Sequence, residues 1–333
     1  MKNKPPENIN ELLLQLYALS HEQSLENFQN TALALLKQVL AFDASIWGTA
    51  TTGANGIDIH SFHLHNKTPD MVASYEEVKH LDSASAGMFH KPKMTQAFCT
   101  NSFFAGRDTH PIRDFMTKFE QPHFLLSTDL KTNTNSSSLL HWLTLYRAKQ
   151  SAHYSTADVE RLHAFAPHLK QALTLNRSSH LNKVAGSWGG RSNRAIGIAD
   201  SKGHIYAHNA QFMALVSKAT GEDYANRIVL PPSLTALLAQ AKRAYIWHNL
   251  ILDSHLEHGL FILRLREQTM ADTLTARERE VAALIAKGRT YKQAAAELGK
   301  ATGTVRNQIQ VIYSKLQVNN IAEMVKAISD GDQ

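Results

Sequence analysis

Cys99 is the only cysteine in a chain of 333 residues, so no intramolecular disulfide can form and a cysteine-based zinc site is not expected. Long apolar runs are also missing. No stretch of about eighteen consecutive apolar residues occurs, so no membrane span is expected. The first ten residues, MKNKPPENIN, lack the apolar core of a secretory signal. A cytoplasmic location is the expectation from these three absences. Catalytic signatures are scarce too: there is no Gly-x-Ser-x-Gly elbow, no glycine-rich phosphate loop and no His-Glu-x-x-His pair. Asp129 ends an apolar run as a phosphoacceptor would, but the early acidic pair and the later lysine strand of a receiver domain are absent. The chain is therefore expected not to be an enzyme, with no cofactor and no metal.

What is present is an ordinary globular composition, 43% hydrophobic, with length for two or three domains. The net charge of +6 is concentrated at one end. Between Leu274 and Ser329 nine Lys or Arg face four Glu, and the rest of the chain is close to neutral. A small basic domain on a near-neutral body points to local contact with a polyanion.

That basic stretch has a strict helical grammar. Thr275 and Glu278 form a capping box, and Val281, Leu284 and Ile285 place one apolar stripe on the helix that follows. Gly288 ends it. A short alanine-rich helix, Tyr291–Leu298, precedes a turn at Gly299. The spacing predicts a third helix from Gly303 to Leu316, burying Val305, Ile309, Ile312 and Leu316. Gly303, Asn307, Gln310 and Ser314 repeat that spacing on another face, flanked by Arg306 and Lys315. No carboxylate occurs from residue 298 to 322, which suits a surface of phosphates and base edges. A fourth helix from about Asn320 is expected to bury Ile321, Val325 and Ile328.

The segments LTAREREV, TVRN (Thr304 to Asn307) and IYSKLQV (Ile312 to Val318) closely resemble the LuxR-type helix-turn-helix domain, without gaps over about fifty-five residues. The resemblance implies double-stranded DNA as partner, with the third helix in the major groove. Arg306 would then reach guanine, and Asn307 or Gln310 adenine. Thr302 and Thr304 would grip phosphate at the helix start, and Lys292 and Lys315 would add phosphate contacts. Ala294 and Lys300 stand where the family usually carries a larger aliphatic residue, and Gly303 where a base-reading side chain often sits.

Upstream, residues 9–20 and 24–40 read as amphipathic helices; the leucines of the first could cover a domain or form a dimer seam. From Phe42 to about Leu175 the order is strand, strand, helices, strand, strand, long helix. The strands are Ala44–Ala50, Ile57–His65, Phe124–Asp129 and Leu139–Ala148, with TGANG turning the first pair. Helices open at Pro69, at His110 and after Ser155, which caps with Asp158 three residues on. This element order resembles a GAF-type sensor domain. SSHLNKVAGSWGGRSN then reads as a linker. RAIGIADSKGHIYAHN, two short strands about Ser201-Lys202-Gly203 with Asn209 opening a helix, resembles the start of a PAS-type domain. A helix near Leu234–Ala244 and strands Tyr245–Asp253 and Leu260–Glu267 complete it. The expected organisation is multidomain: an α+β GAF-like sensor domain at 1–178, a linker at 179–193, a small α+β PAS-like domain at 194–268, and an all-α four-helix LuxR-type helix-turn-helix at 273–330.

His60, His63 and His65 invite a metal reading, but on a regular strand His60 faces away from the other two, and no carboxylate or cysteine stands at ligand spacing. They read as exposed or polar-pocket histidines, and Cys99 as a packing residue. Trp47, Tyr75, Phe103, Phe104 and Trp142 read as core aromatics or pocket lining; the Trp-Tyr-Asp pocket of quorum-sensing LuxR-type proteins has no evident match. The expected function is a homodimeric, sequence-specific transcriptional regulator modulated by a small-molecule effector or partner. The alternatives are a constitutive DNA-binding regulator whose N-terminal half only dimerises, and an enzyme or binding module with a DNA-binding tail.

Overall fold

Alternation along LLHWLTLYR decides how the N-terminal part is layered. Successive strand residues point to opposite faces, so Leu143 and Leu145 face one way, and Trp142 and Tyr146 the other. Both sets are buried, in two different clusters. The sheet is therefore sandwiched. The structure, a computed structural model, describes residues 9–53, 56–89, 94–132, 138–187, 195–240 and 244–331.

In chain order, α1 (Ile9–Glu22) and α2 (Leu25–Leu36) precede β1 (Ala44–Gly53) and β2 (Gly56–His65). Then come α3 (Pro69–Val78), α4 (Ser83–Phe89), β3 (Met94–Cys99), α5 (Thr100–Phe103) and α6 (His110–Lys118). The strands β4 (His123–Thr132) and β5 (Ser138–Arg147) lead into the long helix α7 (Thr156–Ser187). The first sheet has the order β2-β1-β5-β4-β3, and every pairing described is antiparallel. Leu12, Leu16, Phe28 and Leu33 cover one face together with Leu162, Phe165 and Leu169 of α7. Met71, Met88, Ile112 and Phe115, from α3, α4 and α6, cover the other. This is the GAF-like α+β architecture expected. The leucines of α1 cover the domain, although Leu14 points outward.

The second sheet is built from β6 (Ala195–Ala199), β7 (Ile205–His208), β8 (Ala244–Trp247), β9 (Leu250–Glu257) and β10 (Leu260–Glu267), with α8 (Ala210–Thr220) and α9 (Pro232–Leu238) between β7 and β8. Its order, β7-β6-β10-β9-β8, repeats the winding of the first. Asn209 caps α8 as expected, its side chain accepting from the Phe212 amide. Gly203 adopts φ +86, and a Cβ there would meet Thr235 Oγ1 at 2.3 Å, so the β6–β7 turn requires glycine.

Four readings need correction. The edge strand β3 was not foreseen: its half-exposed residues lack the two-residue alternation that marks a strand. Residues 179–187, expected as linker, continue α7, because Leu181, Val184 and Ala185 present an apolar stripe to the second sheet; 188–194 fall outside the described residues, as do Ala54 and Asn55 of the TGANG turn. The strand read as Tyr245–Asp253 is two strands, divided where His248 takes a positive φ. In the last helix Met324 is the fully buried residue, while Ile321 is exposed.

The chain divides into two compact units, Met1–Arg243 with Asp253–Arg264, and Ala244–Leu252 with Leu265–Gln333. The second contains α10 (Ala276–Ala286), α11 (Tyr291–Glu297), α12 (Thr302–Leu316) and α13 (Ile321–Gly331). Val305, Ile309, Ile312 and Leu316 form the buried stripe of α12.

Candidate nucleic-acid interface

The helix start at Thr275 is a formed capping box: Thr275 Oγ1 accepts from the Glu278 amide, and Glu278 Oε2 accepts from the Thr275 amide at 2.7 Å. Thr290 and Gln293 repeat the device on α11. On α12 no such cap exists, since Ala301 offers no side-chain acceptor. The first amides of a fifteen-residue helix thus lack a side-chain cap, beside the exposed Thr302, Gly303 and Thr304. Uncapped amides at the positive end of a helix dipole suit phosphate.

With the Val305 stripe held inward, the opposite side of α12 is fixed outward. Arg306, Asn307, Gln310 and Ser314 are all exposed. Lys292 on α11 is exposed as well. Lys315 sits differently from the other expected site residues. Its ammonium donates to Glu278 Oε2 at 2.8 Å, so it ties α12 to the cap of α10 and has two donors left for solvent or phosphate. Glu278 is held below its usual carboxylate range by the hydrogen bond from Lys315, then by that from the Thr275 backbone. Ala294 and Ala295 are fully buried between α11 and α12, and Lys300 donates to Gln308 Oε1 at 3.1 Å. The small residue and the lysine that depart from the family pattern are thereby absorbed. Ahead of α10, Arg266 grips Asp272 with two nitrogens at 2.7 and 2.6 Å, a bidentate pair that sequence spacing does not reveal.

A second candidate site lies in the first unit. A cavity of about 60 Å³ is lined by Ile46, Ile59, Met71, Phe115, Trp142 and Tyr146 among others. Its polar wall holds Tyr75, whose hydroxyl donates to Asp82 Oδ2 at 2.8 Å, and Gln121. Burial, with Asp82 alongside, pushes the Tyr75 phenol well above its ordinary value, so it stays a neutral donor. Trp142 Nε1 and Gln121 Oε1 are buried with no protein partner. Of the aromatics named from the sequence, Tyr75 and Trp142 line this cavity. Trp47 lies in the cluster on the opposite face, Phe104 is buried core, and Phe103 is exposed. A tryptophan, a tyrosine and an aspartate do converge here, but from residues 142, 75 and 82, an order that gives no local motif.

The histidines separate. His63 Nε2 lies 2.9 Å from Asn30 Oδ1. His60 falls at an irregularity of the β1–β2 register and stacks on His204 with ring centroids 3.7 Å apart. Burial, then His204, lowers its pKa to about 4. The Cys99 thiol lies below its ordinary value: burial raises it, but hydrogen bonds from Ser102 and the Asn101 backbone outweigh that. Among the described residues no helix is long and apolar enough to cross a membrane.

Comparison with known proteins bears on the same C-terminal stretch. The profile of bacterial regulatory proteins of the luxR family matches residues 272–328. The transcriptional regulatory protein DesR of Bacillus subtilis is 47% identical over 55 residues, 16% of this chain and 28% of DesR. A putative HTH-type transcriptional regulator of Aeromonas salmonicida is 44% identical over 62 residues, 17% of this chain and 32% of that protein. The chain thus spans about a third or less of these relatives. Escherichia coli SdiA in crystal form P6522 overlaps 97% of both chains, at 11% identity and a TM-score of 0.38. So low a score leaves the N-terminal domains to be read from their own strand order.

Proposed function

Residues 272–328 being a LuxR-family helix-turn-helix domain, we propose that the protein is a sequence-specific, DNA-binding transcriptional regulator whose domains, at 1–178, 194–268 and 273–330, couple an effector cavity to DNA. The observation that carries the reading is the two-sided character of α12: four buried aliphatic residues fix it, and Arg306, Asn307 and Gln310 stand exposed on its other side. Arg306 reads guanine through two donors, and Asn307 and Gln310 read adenine. Thr302, Thr304, Lys292 and the free donors of Lys315 hold phosphate. One such helix spans only a few base pairs, so the working form is a homodimer reading two half-sites.

Modulation by a small molecule rests on the cavity. Buried polar atoms are almost always paired, and the Trp142 indole N–H and Gln121 carbonyl are not. An effector with an apolar body, an acceptor for Trp142 and a donor for Gln121 would complete both. Duplexes selected from a random pool by the wild-type chain, then titrated by fluorescence anisotropy, test the DNA reading. Arg306→Ala should lose selected-site affinity while keeping non-specific binding. Equal affinity of wild type and Arg306→Ala for the selected site would refute base reading by that residue.

A further inference from the structure

Cys99, His123 and His153 converge at one end of the first sheet. Cys99 ends β3 and His123 opens β4, and the two are cross-strand partners, which puts their Cβ atoms on one face about 5 Å apart. His153 arrives from the turn between β5 and α7. Its carbonyl accepts a 2.7 Å hydrogen bond from Arg147 Nη1, and its ring centroid lies 4.1 Å from that of His123. One ligand atom from each of the three falls within 4.8 Å of the others. Donors around a tetrahedral zinc ion lie about 3.5 Å apart, so side-chain rotation suffices to close the set.

The contacts of His123 leave one ring nitrogen available to a ligand-accepting ion. The residue is buried, and its Nε2 lies 2.7 Å from the Gln150 carbonyl oxygen. A carbonyl only accepts, so Nε2 carries the proton and Nδ1 keeps its lone pair. That outer hydrogen bond is the one metal-binding histidines make. His153 is exposed and Cys99 half-buried, which leaves an entry path. One sulfur and two imidazoles are a donor set for a borderline-soft ion, and three protein ligands leave a fourth position for water or an exogenous ligand.

We propose that Cys99, His123 and His153 form a binding site for a zinc-class divalent cation, coordinated by one thiolate and two imidazole nitrogens, with the thiol proton released to solvent. The site is independent of the DNA reading.

The other cluster of ligand-type residues, His60, Asp200 and His204, is built differently. Asp200 Oδ1 accepts the amides of Lys202 and His204, both at 2.9 Å, and Oδ2 the Tyr206 hydroxyl at 3.0 Å. The two imidazoles lie stacked at 28°, so their in-plane lone pairs do not converge on one ion. That cluster is a hydrogen-bonded joint between β2 and the β6–β7 turn, reinforced by the 2.6 Å Lys202–Asp58 ion pair.

The test is a cobalt titration of the metal-stripped, full-length chain. The expected result is one equivalent of Co²⁺ giving a thiolate-to-cobalt charge-transfer band and tetrahedral d–d absorption, displaced by Zn²⁺, with Zn²⁺ also raising Tm. Cys99→Ser should abolish the charge-transfer band. His153→Gln, at an exposed position, should leave the metal-free Tm unchanged and weaken Co²⁺ binding by about tenfold or more. Absence of the charge-transfer band in the wild type would overturn the proposal. So would a cobalt spectrum unchanged by both Cys99→Ser and His153→Gln, or one lost in His60→Gln and kept in Cys99→Ser.

Discussion

Glu278 Oε2 receives two hydrogen bonds, from the Lys315 ammonium at 2.8 Å and from the Thr275 amide at 2.7 Å. One carboxylate thus closes the cap of α10 and anchors the far end of α12. The exposed face of α12 keeps its orientation because its two ends are held by different means: the Val305 stripe against α11, and Lys315 on Glu278.

Removing Lys315 should loosen this clamp. Lys315→Met is expected to lower the stability of the helix-turn-helix domain by about 1 kcal/mol, the screened range for a partly exposed pair, read by denaturant unfolding. The pH dependence follows from the depressed carboxyl of Glu278. Its stabilisation is fully present above the ordinary glutamate range and is lost as pH falls through the lower, folded value. In Lys315→Met the acid-induced loss should shrink; an identical acid profile in wild type and variant would show that the pair is not its source.

Caps give a second, local prediction. Asn209 Oδ1 accepts from the amides of both Phe212 and Ile196, at 3.0 and 3.1 Å, joining the start of α8 to β6. Asn209→Ala should cost about 1–2 kcal/mol, more than a cap serving one amide, measured by thermal unfolding of the N-terminal unit.

The cavity separates stability from ligand response. Trp142→Phe removes a buried donor that has no protein partner, so the effector-free variant should be no less stable than the lost ring area predicts. If an effector fills the cavity, as proposed, it should raise the wild-type Tm, and that rise should fall or vanish in the variant. A full ligand-induced rise in Trp142→Phe would remove the indole from the effector's contacts.

Charge and base contacts on DNA should respond differently. Lys292→Ala should weaken binding to all sequences alike and reduce the slope of log affinity against log salt by about 1. Arg306→Ala should cost about 1–3 kcal/mol at the selected site and relax preference at one base position. Salt titrations on matched and unmatched duplexes distinguish the two.

The legible and illegible parts of this chain divide by range. The capping box at Thr275 and the stripe from Val305 to Leu316 act within a few turns, so spacing alone specified them, and the exposed face of α12 followed by exclusion. The strand β3 escaped because an edge strand buries too little to enforce alternation. The continuation of α7 past residue 178 escaped because Ser, Asn and Gly there mask the apolar spacing of Leu181, Val184 and Ala185. The cavity was unreadable for a different reason: Tyr75, Gln121 and Trp142 come from α3, the connection between α6 and β4, and β5, and only the folded sheet places them around one space. His60 meeting Asp200 and His204 is likewise a product of tertiary folding, across 140 positions of chain or more.

Sequence-specific reading by α12 is tested most directly by a dimethyl sulfate footprint, which reports guanine N7 in the major groove, of the wild-type chain on a duplex enriched from a random pool. Two protected half-sites whose centres lie about one helical turn, ~34 Å, apart are expected, with protection of one base position in each lost in Arg306→Ala. A pool that never enriches, or a footprint that Arg306→Ala leaves intact at every base, would contradict sequence-specific reading by α12.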